Sequence, residues 1–390
     1  MKQAILGASM LVLAGCATAP AGSPPVAAPS SAVEALQAYY DTIPDSALPR
    51  APAGASMPAD DAVITRILVG SCNDEERESP VLGQIAEESA DLFLMIGDNV
   101  YGDRDGRLYA NNETDLDELR ESFADLAKDP DFQAVRAQHA MMATWDDHDY
   151  GANDAGREFP FKRFAERIHE VFWGIEAEAG GHDGVYYAKT FGPEGQRTQI
   201  IMLDTRYFRS DLKRTDEWNA PGKQRYVPTS GPGQDLLGAE QWAWLEDQLQ
   251  QPADLRFVVS SIQVTTTDSH GYEHWNNLPA ERDRLYGLIE ETGATGVVFV
   301  SGDRHTGFIY EQDGALPYQA HELTSSSLNL SFNDVSEEAD SAQVGAGVAV
   351  VNFGDIAIDW DARSVSLKLR GEDGGVLGEN NFTFEDIGLN

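Results

Sequence analysis

Residues 141–151 read Met-Met-Ala-Thr-Trp-Asp-Asp-His-Asp-Tyr-Gly, a short apolar run that ends abruptly in three aspartates arranged around one histidine. A continuous apolar run of that length, bounded by polar residues, fits a strand buried on both faces. Polar groups immediately after such a strand sit at the carboxyl edge of a sheet, where ligands bind in α/β folds. Outward from this stretch the pattern recurs. Residues 64–69 run into Gly70-Ser71-Cys72-Asn73, residues 91–96 into Gly97-Asp98-Asn99-Val100-Tyr101-Gly102-Asp103, and residues 297–300 into Ser301-Gly302-Asp303-Arg304-His305. Two more runs, 199–203 and 257–260, have the same strand-like character.

Helical patterns fill the intervals at 79–89, 115–128, 161–173, 239–250 and 279–291, several opening on a cap residue or on proline at the first helical position. Strands alternating with helices predict an α/β fold. Residues 347–384 alternate apolar and polar, as in Val365-Ser366-Leu367-Lys368-Leu369, and predict closing antiparallel strands about a Gly374-Gly375 turn.

The 390 residues are 42% hydrophobic, enough for one large domain or two small ones. Against 28 Lys plus Arg stand 65 Asp plus Glu, a net charge of −37 that repels nucleic acid and anionic lipid heads, so no nucleic-acid partner is expected. Acidity by itself suits salty or calcium-containing surroundings and assigns no function.

Met1-Lys2-Gln3 followed by an apolar run over 4–14 has the dimensions of a signal peptide and is too short to span a bilayer. Leu13-Ala14-Gly15-Cys16 resembles the lipobox of bacterial lipoproteins; the other reading is an ordinary secretory signal that contains a cysteine. The resemblance implies residues 1–16 as a lipoprotein signal peptide with lipid on Cys16. Composition rich in Ala, Pro and Ser then reads as a spacer at 17–60, within which the short amphipathic piece 33–40 is expected to pack back onto the domain, and one domain follows over 61–390. The expected protein is a monomer. It touches the membrane only through its N-terminal lipid, at the periplasmic face of an outer membrane or at the cell surface. Of the two cysteines, Cys72 would then have no disulfide partner.

Neighbouring carboxylates, a thiol, a phenol and two imidazoles gathered at one sheet edge repel or strand one another unless cations neutralise them. Each motif alone reads equally well as caps and turn residues. Their recurrence after four strands favours a metal centre.

These motifs are similar, in order and spacing, to those of the alkaline phosphatase D (PhoD-like) branch of the calcineurin-type metallophosphatases. The resemblance covers residues 64–384. Leu203-Asp204-Thr205-Arg206, the helix start at Gln241, and Glu273-His274-Trp275 with Asn277-Leu278-Pro279-Ala280-Glu281-Arg282 extend it. It implies a four-layer αββα sandwich, two central mixed sheets flanked by helices, with the site at the strand ends. The wider superfamily's opening Asp-x-His is replaced here by Ser71-Cys72-Asn73, its Asn-His by Asp147-His148, and its late His-x-His by Asp303-Arg304-His305. The implied ligands are Cys72, Asp98, Tyr101 and His305 for an iron ion. For a calcium ion they are Asp98 as a bridge, Asp147 and Asp303, with Gln263 adding a carbonyl oxygen. The residues themselves separate only hard from soft donors, so magnesium or manganese also fits the second site.

Two cations held close together acidify a bound water and clamp the charge that develops on an attacked phosphorus, which is phosphate-ester hydrolysis. His148, among Asp146, Asp147 and Asp149, is expected to keep its proton and serve as the acid; a metal-ligand or turn role is the alternative. Arg206 and Arg304 lie within family-like strings and are expected to fork onto phosphate oxygens. Asn153 and Asp154 either order their loop or reach a metal, and His270 and His274 suit a pocket wall. His139, His169, His182 and His321 are read as structural or exposed. Trp242 and Trp244 are read as core residues. The loops at 104–114 and 205–234 are expected to set substrate size. Rival functions are a phospholipid or cell-wall phosphodiesterase of the same fold, a non-catalytic calcium-binding surface lipoprotein, and an iron oxidoreductase. Calcium binding needs neither thiol nor imidazole, and no glycine-rich dinucleotide loop supports redox chemistry.

Overall fold

In a computed structural model, residues 32–108, 114–220, 223–267, 270–332 and 340–389 are described. The expected signal peptide, Cys16 and the first third of the expected spacer lie outside them. Each apolar run becomes a strand because only the interior of a sheet buries every position of so short a segment. β1 (Arg66–Gly70), β2 (Leu92–Ile96) and β3 (Ala140–Thr144) lie side by side and parallel. The second sheet holds β4 (Tyr187–Phe191), β5 (Thr198–Met202), β6 (Leu255–Val259), β7 (Val297–Ser301), β8 (Phe308–Gln312) and β9 (Ala320–Thr324), in the order β4-β5-β6-β7-β9-β8. There β5, β6, β7 and β9 run parallel, and the two edge strands are antiparallel. The chain then returns to the first sheet. β10 (Asn352–Asp359) pairs antiparallel with β1, and β11 (Ser364–Gly371) and β12 (Val376–Thr383) follow by hairpins. The predicted turn between the last two uses Gly374 at φ 74°.

Alternation of side chains makes the layers. Ile200 and Met202 of β5, Phe257 and Val259 of β6, and Val298 and Val300 of β7 share one core with Ile67, Val69, Ile356 and Leu367 of the first sheet. Their neighbours Ile201, Val258, Val297 and Phe299 turn the other way. They pack with Trp242, Leu245, Leu285 and Ile289 from the helices Gly238–Leu249 and Pro279–Thr292. The sheets approach closely: a Cβ at Gly354 of β10 would stand 2.8 Å from Cδ2 of Leu323 in β9. Helices Pro80–Glu87, Asp117–Leu126, Pro130–Gln138 and Lys162–Trp173 complete the core of the first sheet through Val81, Phe123, Val135 and Phe172. The result is the four-layer sandwich.

Residues 41–60, read from composition as spacer, are laid along this body instead of extending away from it. Tyr40 is buried and stacks on Phe164 at 4.2 Å and 6°, Leu48 is buried, and the amides of Ala51 and Ala55 donate to the carbonyls of Phe172 and Arg136. Tyr40 ends the amphipathic piece 33–40 expected to pack back onto the domain, and Leu48 is the apolar anchor that a count of Ala and Pro overlooks. Among the described residues no helix is long and apolar enough to cross a membrane.

Candidate active site

The carboxyl ends of β1, β2 and β3 meet the carboxyl end of β7 along the seam between the sheets, and tight loops turn their side chains inward. Cys72 (φ 56°), Asp98 (φ 48°), Asp303 (φ 66°) and His305 (φ 54°) all adopt the left-handed conformation. That conformation costs roughly 1–2 kcal/mol per non-glycine residue. Strain concentrated on residues of these types is a mark of function rather than of folding. Gly97 at φ 115° precedes Asp98, and a Cβ there would stand 2.7 Å from Cβ of Asp146. Asp149 is a clip: its carboxylate accepts from the amides of Asn99 at 2.8 Å, Val100 at 3.1 Å and Asp146 at 3.0 Å, binding the β2 and β3 loops together.

Among the described residues four groups of possible ligands overlap, two of them being Asp98 with Asp147 and His148, and Asp147 with Asp154 and Glu273. Cys72, Asp98 and His305 bring donor atoms within 4.8 Å of one another, as do Asp98, Asp146, Asp147 and Asp303, so Asp98 belongs to both. The Tyr101 hydroxyl stands 3.5 Å from Oδ2 of Asp98 and 3.2 Å from Nε2 of His305. Nδ1 of His305 lies 2.5 Å from the Leu330 carbonyl. A carbonyl only accepts, so Nδ1 carries the proton and Nε2 turns a bare lone pair toward the cluster, the tautomer a metal ligand needs. Sγ of Cys72 lies 2.9 Å from the Ser326 hydroxyl and 3.5 Å from Asp98.

Burial pushes the Cys72 thiol up to about 12. Burial first, and neighbouring acids next, raise the carboxyls of Asp98 and Asp303 well above the ordinary range. Asp146 rises to about 6 because burial outweighs Arg206. Asp147 goes the other way: burial opposes its charge, but His148 and Arg206 hold it low. Protons would have to neutralise this pocket in the absence of cations. Oδ2 of Asp146 is buried without a hydrogen-bond partner. The donors fit cations, with sulfur, imidazole and phenol on one side of Asp98 and carboxylate oxygens on the other.

His148 lines the cleft above the clusters, a cavity of about 350 Å³ whose walls include Tyr101, Arg104, Arg225, Tyr272 and Arg304. Its Nδ1 lies 2.5 Å from Oδ1 of Asp103 and must donate to it, and its ring centroid lies 4.2 Å from that of Tyr101. Burial alone would lower its pKa, but Asp147 and then Asp103 raise it to about 10.

The structure thus brings together Cys72, Asp98, Tyr101, Asp147, His148, Asp303 and His305. Arg304 joins them on the cleft wall, its guanidinium 4.4 Å from the Tyr272 ring centre. Gln263 does not join. Its amide nitrogen donates to Tyr310 at 2.8 Å and Thr324 at 3.1 Å, and its oxygen accepts from Nε2 of His270 at 2.9 Å, so its donors are spent elsewhere. Arg206 is also removed from the phosphate role. Fully buried beneath the site, it binds Asp146 at 2.5 Å and Glu273 at 2.7 Å and acts as a strut under the carboxylates. Asp154 keeps both of its readings: its amide donates to Oδ2 of Asp147 at 2.7 Å, and its carboxylate lies within 4.8 Å of ligand atoms of Asp147 and Glu273. His270 and His274 are buried, and Tyr272 between them forms the wall. Missing from the residues singled out by sequence are Asp103, Asp146, Arg104, Arg225 and Tyr272. Asp103 carried a signal, its place at the end of the β2 motif; Arg225 and Tyr272 were not named themselves but lie in segments expected at the cleft, the loop 205–234 and the wall between His270 and His274.

Residues 67–355 match the model of the PhoD-like phosphatases. Alkaline phosphatase D of Bacillus subtilis (strain 168) is 23% identical over 304 residues, covering 67% of this chain and 50% of that protein. The chain therefore spans about half the length of the curated relative it matches. Among solved structures, the structure of PhoD superposes with a TM-score of 0.62 at 18% identity, over 86% of this chain and 70% of that one. The anchor protein of the inner membrane complex of Plasmodium gives 0.51 at 11% identity, over 83% and 89%. Both likenesses show the sandwich fold. The family model spans every strand that carries a cluster residue, from the β1 loop bearing Cys72 to the β7 loop bearing His305, and on that ground the chain belongs to the PhoD-like phosphatase family.

Proposed function

We propose that this protein hydrolyses phosphate esters outside the cytoplasm, using cations held at the seam between its sheets. The observation that carries the reading is the pair of ligand clusters sharing Asp98, placed directly under a cleft lined by His148 and Arg304. The PhoD-like family match supports it. Cys72, Tyr101, His305 and Asp98 suit iron; Asp98, Asp147 and Asp303, with Asp146 beside them, suit calcium, magnesium or manganese. Bound cations would supply Lewis-acid charge and an acidified water. The chain's own groups do the rest. Arg304 and Arg225 on the cleft wall orient the phosphate oxygens. His148 holds a proton on the ring nitrogen opposite Asp103 and delivers it to the departing alkoxide. Tyr101 packs against the imidazole and fixes its plane.

The N-terminal pattern ending in Cys16 supports export and lipid anchoring, at the periplasmic face of an outer membrane or at the cell surface. Metabolic labelling with a tagged fatty acid should mark the protein and fail to mark Cys16→Ser.

The decisive assay follows para-nitrophenyl phosphate and bis-para-nitrophenyl phosphate, with elemental analysis of the same samples of protein and of Asp98→Asn. Asp98 serves both clusters, so its loss should deplete both metals and lower kcat/KM on the order of 10³-fold or more. Activity that survives complete metal removal, or a metal-loaded protein that turns over neither ester, would remove the proposal.

A further inference from the structure

We propose that the cleft continues into a second chamber that takes a neutral, planar aromatic group, making the preferred substrate a phosphodiester with an aryl substituent. This rests on the phosphoesterase reading and specifies its substrate class. A cavity of about 580 Å³ adjoins the cleft and shares Asn153 and Asp154 with it as a sill. Trp218 lines this chamber and is 41% exposed, the most exposed tryptophan of the chain.

An alternation of guanidinium and aromatic rings joins the two chambers. The Arg214 guanidinium lies 4.6 Å from the Trp218 ring centre, that of Arg225 lies 5.7 Å from Trp218 and 5.9 Å from Tyr272, and that of Arg304 lies 4.4 Å from Tyr272. Tyr226 stands edge-on to Trp218 at 5.6 Å and 90°. The scaffold beneath is anchored to the site. Arg225 and Tyr226 bind the Asp154 carboxylate at 3.0 Å and 2.6 Å, and the Asp154 amide binds Asp147. An indole held in place yet left in water exposes apolar surface that a stacked planar group would cover. Charge selects the rest of the occupant. Arg225 and Arg304 at the inner end suit the phosphate, while in the outer chamber Asp154, Asp211 and the Arg157-paired Glu158 outnumber Arg214 and disfavour a second anion.

The test compares kcat/KM for phenyl para-nitrophenyl phosphate and methyl para-nitrophenyl phosphate, which share a leaving group and differ only in the retained one. Because intrinsic reactivity cancels between proteins, the readout is the change in the phenyl-to-methyl ratio. Trp218→Ala should lower that ratio about tenfold, and Trp218→Phe should retain most of it. Circular dichroism and thermal unfolding check that both variants are folded. An unchanged ratio in Trp218→Ala overturns the chamber and leaves the phosphoesterase reading standing. If neither diester is hydrolysed while para-nitrophenyl phosphate is, the diester preference is overturned and the phosphoesterase reading stands; if that monoester is not hydrolysed either, the phosphoesterase reading fails, and calorimetric binding of phenylphosphonate against methylphosphonate judges the chamber alone. Tighter phenylphosphonate binding that depends on Trp218 upholds it, and equal binding overturns it.

Discussion

Of the carboxylates that keep the proton on His148, the two that contribute most, Asp147 and Asp103, differ in kind. Asp147 belongs to the ligand cluster, so changing it would disturb cation binding as well. Asp103 touches only the far nitrogen of the imidazole, at 2.5 Å, and also receives the Asn153 amide. Asp103→Asn should therefore lower kcat roughly 10–100-fold with metal content retained and KM little changed, since it loosens the acid without removing it. A parallel loss of metal in that variant would show that Asp103 supports the cluster instead. Most of the site could be read residue by residue, because each cluster ligand follows a buried strand and needs only that strand's position. Gln263 and Arg206 could not. What each side chain touches depends on partners from distant segments: His270, Tyr310 and Thr324 for one, Asp146 and Glu273 for the other.

Among the elements, the join between the helix Pro80–Glu87 and the strands β1, β10 and β11 rests on four charges. Arg66 binds Glu88 at 2.8 Å and Asp355 at 2.7 Å, while Arg370 binds the same two acids at 2.8 Å and 3.1 Å. Burial would raise the Glu88 carboxyl, but hydrogen bonds from Arg370 and then Arg66 bring it down to about 2 from an ordinary 4.5. A depressed carboxylate pKa contributes stability that is complete above the unfolded value and fades as pH falls toward the folded one. Glu88→Gln should thus cost about 1–2 kcal/mol at neutral pH and progressively less below about pH 4. Urea unfolding at both pH values measures this, and an equal cost at both contradicts it. All six apolar runs became strands within two residues of their predicted ends. β4, β8 and β9 escaped notice, β9 because it buries His321 and Glu322, residues that composition assigns to the surface. Glu322 is tolerated there because Ser301 and the amides of Val264 and Thr265 bind it. The four-residue helix Asp147–Tyr150 is too short for periodicity to reveal.

Over the whole molecule, the ligand clusters draw Cys72, Asp98 and Asp147 from one sheet and Asp303 and His305 from the other, so a cation bound there ties the sheets together. Chelation should lower the unfolding temperature by several degrees. Reloading should release protons, because Asp98 and Asp303 have raised pKa values in the metal-free fold. Apparent metal affinity should therefore climb with pH; titration calorimetry in buffers of differing ionisation enthalpy tests it, and a flat profile contradicts it.

The pairing of β1 has a consequence in time. One neighbour, β2, follows soon after it, but the other arrives only with Asn352–Asp359, where Ala357 sits opposite Arg66. Until that late segment has emerged from the ribosome, the strand Arg66–Gly70 stands with one side open, in the middle of what becomes a six-stranded sheet. Such an edge invites mispairing with other chains, and pairing across so long an interval is slow. The polypeptide therefore completes this half of its structure only once residues 352–359 have been synthesised, and until then β1 must be kept from its own copies.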